Sequence, residues 1–125
     1  MFCPCQSGQS YSECCRPFHQ GKAAPTAEAL MRSRYSAYAL SDAAYLHRTW
    51  SKQTRPTLKS LMQSHKIEWL GLSIERTEQG GVEDQEGIVE FIASFSENEQ
   101  EHELHETSRF MRENGRWVYV DGTQS

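Results

Sequence analysis

Four cysteines near the start of the chain constrain its fold more than any other feature. They are Cys3, Cys5, Cys14 and Cys15. So short a segment cannot build a hydrophobic core, so metal binding and local folding are expected to be one event. Four thiolates arranged as a tetrahedron are a common ligand set of structural zinc sites. The pattern therefore predicts one structural zinc ion bound by all four cysteines.

The spacing of the cysteines suits a single site if the chain reverses between the two pairs. Ser7-Gly8 supplies that reversal, since glycine adopts backbone angles that other residues avoid. Pro4 keeps the first pair extended, so that both sulfurs can turn towards one point. Two alternatives stay open at this stage. His19 is a candidate to replace Cys15 as the fourth ligand, and the thiols are candidates for disulfides or for unrelated buried positions.

Charge and hydropathy limit the classes of function. The 125 residues carry a formal net charge of -4, which argues against a nucleic-acid partner or an anionic membrane. No apolar run approaches the roughly eighteen residues of a membrane-spanning helix. The first five residues lack the charged start and apolar run of a secretory signal. We therefore expect a cytoplasmic protein with reduced thiols.

The apolar pattern changes from helical to alternating near residue 66, which indicates an α+β fold. Apolar residues at three-to-four spacing predict a first helix over 26–40, with Thr26 as its N-cap. Ser41-Asp42 caps a second helix over 43–49, and a third is predicted over 56–64. We expect these three helices to pack on the concave face of the sheet that follows.

Four strands of an antiparallel meander are predicted in the second half of the chain, at 68–75, 87–96, 101–112 and 116–121. Gln79-Gly80-Gly81 and Asn114-Gly115 are the predicted turns. Alternation places Trp117, Tyr119 and Asp121 on one face of the fourth strand.

Two family patterns are present. The segment from Cys3-Pro4-Cys5-Gln6-Ser7-Gly8 to Cys14-Cys15 resembles the SEC-C motif, the zinc-binding tail of the protein-export motor SecA, although the usual glycine after the second cysteine is Gln6 here. The rest resembles the YchJ family, in these motifs: Leu30-Met31-Arg32-Ser33-Arg34-Tyr35, Thr49-Trp50, Glu68-Trp69-Leu70-Gly71-Leu72, Ser108-Arg109-Phe110 and Trp117-Val118-Tyr119-Val120-Asp121-Gly122-Thr123. The resemblance implies a zinc knuckle over 1–22, followed by a cone-shaped nuclear transport factor 2-like domain over 23–125. We expect residues 26–122 to stay folded on their own core when the metal is removed.

The resemblance does not by itself imply any activity. In SecA the similar tail binds the export chaperone and the ribosome, which implies a protein partner in translation or protein handling. The predicted contact residues on the knuckle are Gln6, Gln9, Tyr11, Arg16 and Phe18. Tyr11 and Phe18 are the candidate aromatic anchors, although packing of Tyr11 over the zinc site is an equal alternative.

The competing hypothesis is a small-molecule-binding protein or an enzyme that uses the pocket of the cone. Five residues from separate elements bring polar groups into an aromatic domain and are expected to meet there: Arg32, Tyr35, Glu106, Arg109 and Asp121. The structural alternative is an internal ion pair of Arg32 or Arg34 with Glu106 or Asp121 that closes the cone. No nucleophile–base pair, phosphate-binding loop or nucleotide fingerprint is found, so nothing in the sequence supports catalysis.

Overall fold

The computed structural model describes residues 2–62 and 67–124, and within these ranges the chain forms four α-helices and four β-strands. A single 3-10 turn at Tyr11–Glu13 precedes the first helix. The elements are α1 (Arg16–His19), α2 (Ala27–Ala39), α3 (Ala43–Arg48), α4 (Leu58–Met62), β1 (Ile67–Gln79), β2 (Glu86–Glu97), β3 (Gln100–Glu113) and β4 (Arg116–Gln124). Helices followed by an antiparallel sheet make the α+β fold that the sequence predicts.

The longest helix, α2, begins and ends close to its predicted bounds. Thr26 has extended backbone angles, and its side chain accepts a hydrogen bond from Ala29 N at 3.0 Å, which makes it the N-cap. Glu28 lies in the first turn, where a negative charge suits the positive end of the helix dipole. Ser41 has a φ of 60°, so the chain leaves the helix through a left-handed turn.

The two following helices depart slightly from their predicted bounds. Asp42 caps α3, as expected, by accepting a hydrogen bond from a backbone N–H of its first turn. α4 begins two residues after Pro56, because the Thr57 side chain caps it by accepting from Ser60 N at 3.1 Å. The predicted end of this helix at Ser64 lies outside the described residues. Within the described ranges, no helix is long and apolar enough to cross a membrane.

The sequence predicted that three helices pack on the concave face of the sheet. Among the described helices, α2 is the one that lies there. It contacts β1, β2 and β4, whereas α3 packs on α2 and α4 packs on α3. The chain after α3 is tied to the sheet edge instead. Ser51 N donates to Tyr119 O at 2.7 Å, and Tyr119 N donates to Thr49 O at 2.8 Å. This short parallel bridge covers the exposed edge of β4.

The sheet is an antiparallel meander in the order β1-β2-β3-β4, as predicted. Asn114-Gly115 forms the predicted turn with φ values of 53° and 81°. Asn98-Glu99 makes a similar left-handed turn, with φ values of 53° and 65°, without any glycine. β1 is longer than the predicted 68–75, because its polar end continues to pair with β2 until Gln79 lies opposite Gly87.

The core lies between α2 and the inner face of the sheet. Alternate residues of β2 are buried, including Val89, Phe91 and Ala93. The same core cluster contains Cys3, Cys5 and Cys15, together with Leu30, Met31, Tyr35, Phe110 and Trp117. Cysteines of the knuckle and residues of the α+β body therefore belong to one cluster of buried residues.

Gly87 lies where the β1–β2 hairpin passes the start of α2. Ala27 N donates to Gly80 O at 2.9 Å, which ties the helix to the hairpin. A Cβ added at Gly87 would lie 2.5 Å from Gly80 Cα and 3.1 Å from Ala27 Cβ. We predict that Gly87→Ala lowers the free energy of unfolding by about 2 kcal/mol, because the extra methyl overpacks this contact.

Gly71→Ala is the matched control, because a Cβ added there meets only the Gln6 side chain, at 3.5 Å. Its free energy of unfolding should change by less than about 0.5 kcal/mol. Urea denaturation of the metal-loaded protein measures both changes. An equal loss in the two variants would contradict the close packing of α2 on the hairpin.

Candidate metal centre

The four cysteine sulfurs converge on one point. All four Sγ atoms lie within 4.8 Å of one another. The Sγ atoms of Cys5 and Cys14 are 3.5 Å apart, and those of Cys14 and Cys15 are 3.8 Å apart. A tetrahedral site with metal–sulfur bonds of about 2.3 Å has sulfur–sulfur edges of about 3.8 Å. The cysteines are free thiols rather than disulfides, and their arrangement fits one four-coordinate metal ion.

A tight loop brings the two cysteine pairs together. Cys3 N donates to Gln9 O at 2.9 Å, which closes the loop between the pairs. Gly8 has a φ of 88°, so the chain reverses at the predicted position. In this loop, Gln6 N donates to Cys3 O at 3.1 Å, so the second cysteine turns back towards the first.

Gln6 occupies a conformation that favours glycine. Its φ of 66° lies in the left-handed region, where a side chain is strained by contact with its own backbone. This explains why the SEC-C pattern has glycine at the position after the second cysteine. In this chain the Gln6 amide donates to Leu70 O at 3.2 Å, which ties the loop to β1.

Hydrogen bonds and burial set the protonation of the thiols. A hydrogen bond from Cys15 outweighs burial and, with one from Ser7, lowers the pKa of Cys5 to about 4. The same bond to Cys5 raises the pKa of Cys15, and burial raises it further; burial also raises the pKa of Cys14. The lowered pKa of Cys5 therefore goes with raised pKa values at Cys14 and Cys15, because adjacent thiolates repel. A cation at the centre is needed to stabilise four thiolates together.

Three polar side chains surround the thiols and suit a negatively charged centre. Ser7 Oγ lies 3.1 Å from Cys14 Sγ, and Ser36 Oγ lies 3.4 Å from Cys3 Sγ. Arg32 Nη1 donates to the carbonyl oxygen of Cys5 at 3.0 Å. Hydroxyl donors and a nearby guanidinium offset the net negative charge that a divalent ion with four thiolates retains.

His19 is not available as a metal ligand, because both of its ring nitrogens make hydrogen bonds. Its Nε2 lies 2.8 Å from Ser33 O, which only accepts, so Nε2 carries the hydrogen and donates. Its Nδ1 then accepts from the Tyr11 hydroxyl at 2.7 Å. Because both ring nitrogens are occupied, the geometry favours Cys15 as the fourth ligand.

The two candidate aromatic anchors of the knuckle turn inward. Tyr11 packs against the main core, and Phe18 packs against both this core and the smaller cluster around Tyr45. Tyr11 is therefore partly buried, and its hydroxyl is bonded to His19. The other predicted contact residues, Gln6, Gln9 and Arg16, are exposed. Phe2, which the sequence analysis passed over, is 79% exposed.

The five residues predicted to meet in the cone separate into three places. Tyr35 and Glu106 line a cavity of about 230 Å³ between α2 and the inner face of the sheet. Arg32 lies at the knuckle, where it also pairs with Glu28. Arg109 and Asp121 form a two-bond ion pair on the outer face, with both distances 2.6 Å and side chains 62% and 50% exposed. The structure does not bring the five together.

A β-bulge explains the position of Asp121. Arg109 pairs with Asp121, but the next residue, Phe110, pairs with Tyr119, which leaves Val120 as an extra residue in β4. One extra residue moves the side chains beyond it to the opposite face. Tyr119 therefore points inward, whereas Asp121 points outward beside Arg109, and the prediction of a shared face is wrong for Asp121.

The alternative prediction was an internal ion pair across the cone. The described residues form no such pair. Arg34 is 3% exposed, and its Nη1 donates to Leu46 O at 2.9 Å and to Thr49 Oγ1 at 2.8 Å. Its guanidinium carbon lies 4.9 Å from the ring centroid of Trp50 and 4.8 Å from that of Tyr119. The buried cation is held by carbonyl, hydroxyl and aromatic groups.

Comparison with known proteins identifies the family. The middle NTF2-like domain of YchJ matches residues 26–122, from the N-cap of α2 to within two residues of the end of β4. The chain belongs to the YchJ family. Its bacterial relatives include UPF0225 protein RSc0270 of Ralstonia nicotianae, 47% identical over 96% of this chain and 89% of the relative. A UPF0225 protein of Deinococcus radiodurans is 49% identical over 98% of this chain and 88% of the relative.

Two solved structures extend the likeness to the knuckle. The solution structure of RPA3114, a SEC-C motif containing protein from Rhodopseudomonas palustris, has a TM-score of 0.88 and 34% identity, over 100% of this chain and 99% of the other. A crystal structure of a SEC-C motif containing protein from Psychrobacter arcticus has a TM-score of 0.81 and 28% identity, over 98% and 82%. The cysteine cluster of this YchJ-family chain is consistent with a SEC-C knuckle.

Sequence analysis missed two serines of α2 that lie against the knuckle. Ser33 and Ser36 are fully buried, although serine is usually exposed. Ser33 O accepts from His19, and Ser36 Oγ lies beside Cys3. The sequence did contain a signal for this contact. Small polar residues on an otherwise buried helix face leave room for a second backbone to approach.

The donor set predicts the metal content of two variants. Wild-type protein should carry one metal ion per chain, and Cys15→Ser should lose it, because a hydroxyl is a poor replacement for a thiolate ligand. His19→Gln should keep one ion, while its lost hydrogen bonds lower the free energy of unfolding by about 1–2 kcal/mol. Elemental analysis of reduced protein measures the ion. Loss of metal in His19→Gln with retention in Cys15→Ser would contradict this ligand assignment.

Proposed function

We propose that this YchJ-family chain is a cytoplasmic zinc protein that binds a protein partner in translation or protein handling and carries out no catalysis at its metal. The observation that carries the proposal is the closed set of four cysteines, three of them buried. Catalytic zinc sites keep one position open for water or substrate, whereas four protein ligands leave none.

The chemistry of the donors supports zinc as the ion. Thiolates are soft ligands that favour zinc or iron over magnesium or calcium, and a tetrahedral four-sulfur set suits zinc. The cysteines must also stay reduced to bind it, which fits the cytoplasm. Elemental analysis distinguishes zinc from iron directly.

A fixed knuckle surface supports the protein-interaction role. Arg48 Nη2 donates to His19 O at 2.7 Å, and Arg32 holds the loop at Cys5, so the knuckle is tied to α2 and α3. A surface that is already ordered loses less conformational entropy when it binds. Its outward side presents Phe2, Gln6, Gln9 and Arg16. Phe2 is the candidate anchor, since exposed aromatic residues contribute strongly to interfaces.

The setting in translation or protein handling follows from the likeness of the knuckle to the SecA tail. A protein partner also fits the formal net charge of -4, which works against binding to nucleic acid.

Affinity capture with the zinc-loaded full chain tests this role. Phe2→Ser should reduce recovery of the partner by about tenfold or more, because removal of an aromatic anchor commonly lowers the affinity of an interface by that factor. Val82→Ser is the matched control, because Val82 is another hydrophobic residue, 68% exposed, but lies in the β1–β2 loop. It should leave recovery unchanged.

Cross-linking mass spectrometry then locates the contact, and cross-links should fall on residues 2–22. Chelation of the metal should abolish capture. A partner that is retained by Phe2→Ser and after chelation, or that cross-links only to the sheet, would contradict the proposal.

A further inference from the structure

The cavity between α2 and the sheet has walls suited to a small ring. Its volume is about 230 Å³, and its apolar lining includes Tyr35, Tyr38, Trp69 and Phe91. At about 30 Å³ for each water molecule, this is room for about seven waters. Cavities that bind drug-sized ligands begin near 300 Å³, so a single-ring molecule fits better.

Two opposite charges line this cavity without pairing. Arg34 lies on the helix side and Glu106 on the sheet side. Arg34 takes part in none of the ion pairs formed by the described residues. A buried charge is costly unless an opposite charge or hydrogen bonds compensate it.

The contacts of Arg34 leave part of its guanidinium available. Both hydrogens of Nη1 have acceptors, on Leu46 and Thr49. A guanidinium has five N–H groups, so Nε and Nη2 supply three more. Burial lowers the pKa of Arg34, as expected for a desolvated cation that forms no ion pair with any of the described residues. Support of the end of α3 occupies Nη1, and the Tyr38 side chain is a further hydrogen-bond partner of the guanidinium, which leaves two N–H groups for a ligand.

Glu106 is held in place on the opposite wall. Its Oε2 accepts hydrogen bonds from Ser108 Oγ at 2.5 Å and from the Tyr119 hydroxyl at 3.3 Å. The carboxyl group lies where a Cβ of Gly122 would be, so the glycine makes room for it. Because both donors bond to Oε2, Oε1 is left to accept from another group.

We propose that this cavity binds a small monocarboxylate with one apolar ring and a hydroxyl or amino donor. The carboxylate pairs with Arg34, the ring lies among the aromatic side chains, and the donor reaches Glu106. Such a ligand supplies the anion that the described residues do not provide for the buried guanidinium. Bidentate pairing of arginine with a carboxylate also gives orientation.

Four probes of similar size separate these contributions. They are 4-hydroxybenzoate, benzoate, 4-hydroxybenzyl alcohol and benzylammonium, titrated into zinc-loaded, ¹⁵N-labelled full chain. The indole N–H of Trp69 and the Nε–H of Arg34 report on the cavity. The indole of Trp117 is the internal control, because it donates to Pro25 O away from the cavity lining.

The carboxylates should shift the cavity signals saturably, with 4-hydroxybenzoate tightest. The neutral alcohol should bind about tenfold or more weakly, because it leaves the guanidinium unpaired. Benzylammonium should not bind. If the carboxylates shift Trp69 no more than Trp117, or if the alcohol binds as tightly as 4-hydroxybenzoate, the proposal fails.

Substitutions at the two charges give opposite signatures. Arg34→Gln should remove the preference for carboxylate over alcohol. Glu106→Gln should leave benzoate binding unchanged or tighter, since a like charge is removed, while 4-hydroxybenzoate loses about fivefold in affinity. If Arg34→Gln does not fold, binding of the four probes to the wild type and to Glu106→Gln still tests the proposal.

Arg109→Gln and Asp121→Asn are the matched controls, because this ion pair lies on the outer face of the same sheet. Both should bind every probe as the wild type does. An equal loss of binding in Arg109→Gln and Arg34→Gln would show a general charge effect and overturn the proposal.

Discussion

The contact between the cysteine cluster and α2 is the interaction on which the rest of the structure depends. Ser36 lies beside the Cys3 sulfur, and Arg32 binds the carbonyl oxygen of Cys5. The same helix covers the inner face of the sheet. A metal ion that gathers the cysteines therefore also fixes the helix that completes the core. The knuckle packs against the body, and its cysteines belong to the same cluster of buried residues as α2 and the sheet.

α2 serves two sites because a helix turns by about 100° for each residue. Arg32, Ser33 and Ser36 fall on the side that meets the knuckle. Arg34, Tyr35 and Tyr38 fall on the opposite side and line the cavity. The position of the cavity wall therefore depends on the contacts that the knuckle makes across the helix. A helix of 13 residues would be marginal by itself, so packing on both sides has to stabilise it.

Local patterns predicted most of the fold, because caps, alternation and turn residues act over a few positions. Thr26 and Asn114-Gly115 are examples that the structure bears out. The errors arise where distant parts of the chain meet. The bulge at Val120 depends on pairing between two strands, and the inward turn of Phe18 depends on a helix formed later in the chain. The clustering of the four cysteines was predictable because they are close in sequence, whereas the lack of an ion pair to Arg34 among the described residues was not.

Hydrogen exchange with and without metal tests the shared core most directly. The account predicts that chelation in reducing buffer accelerates exchange not only in residues 2–22 but also at the backbone amides of Ser33 to Ala37, by about tenfold or more, because their side of α2 loses its packing partner. Amides in the β2–β3 pair should change much less. Unchanged exchange in α2 while residues 3–15 lose all protection would contradict the account and would show a body that folds independently of the knuckle.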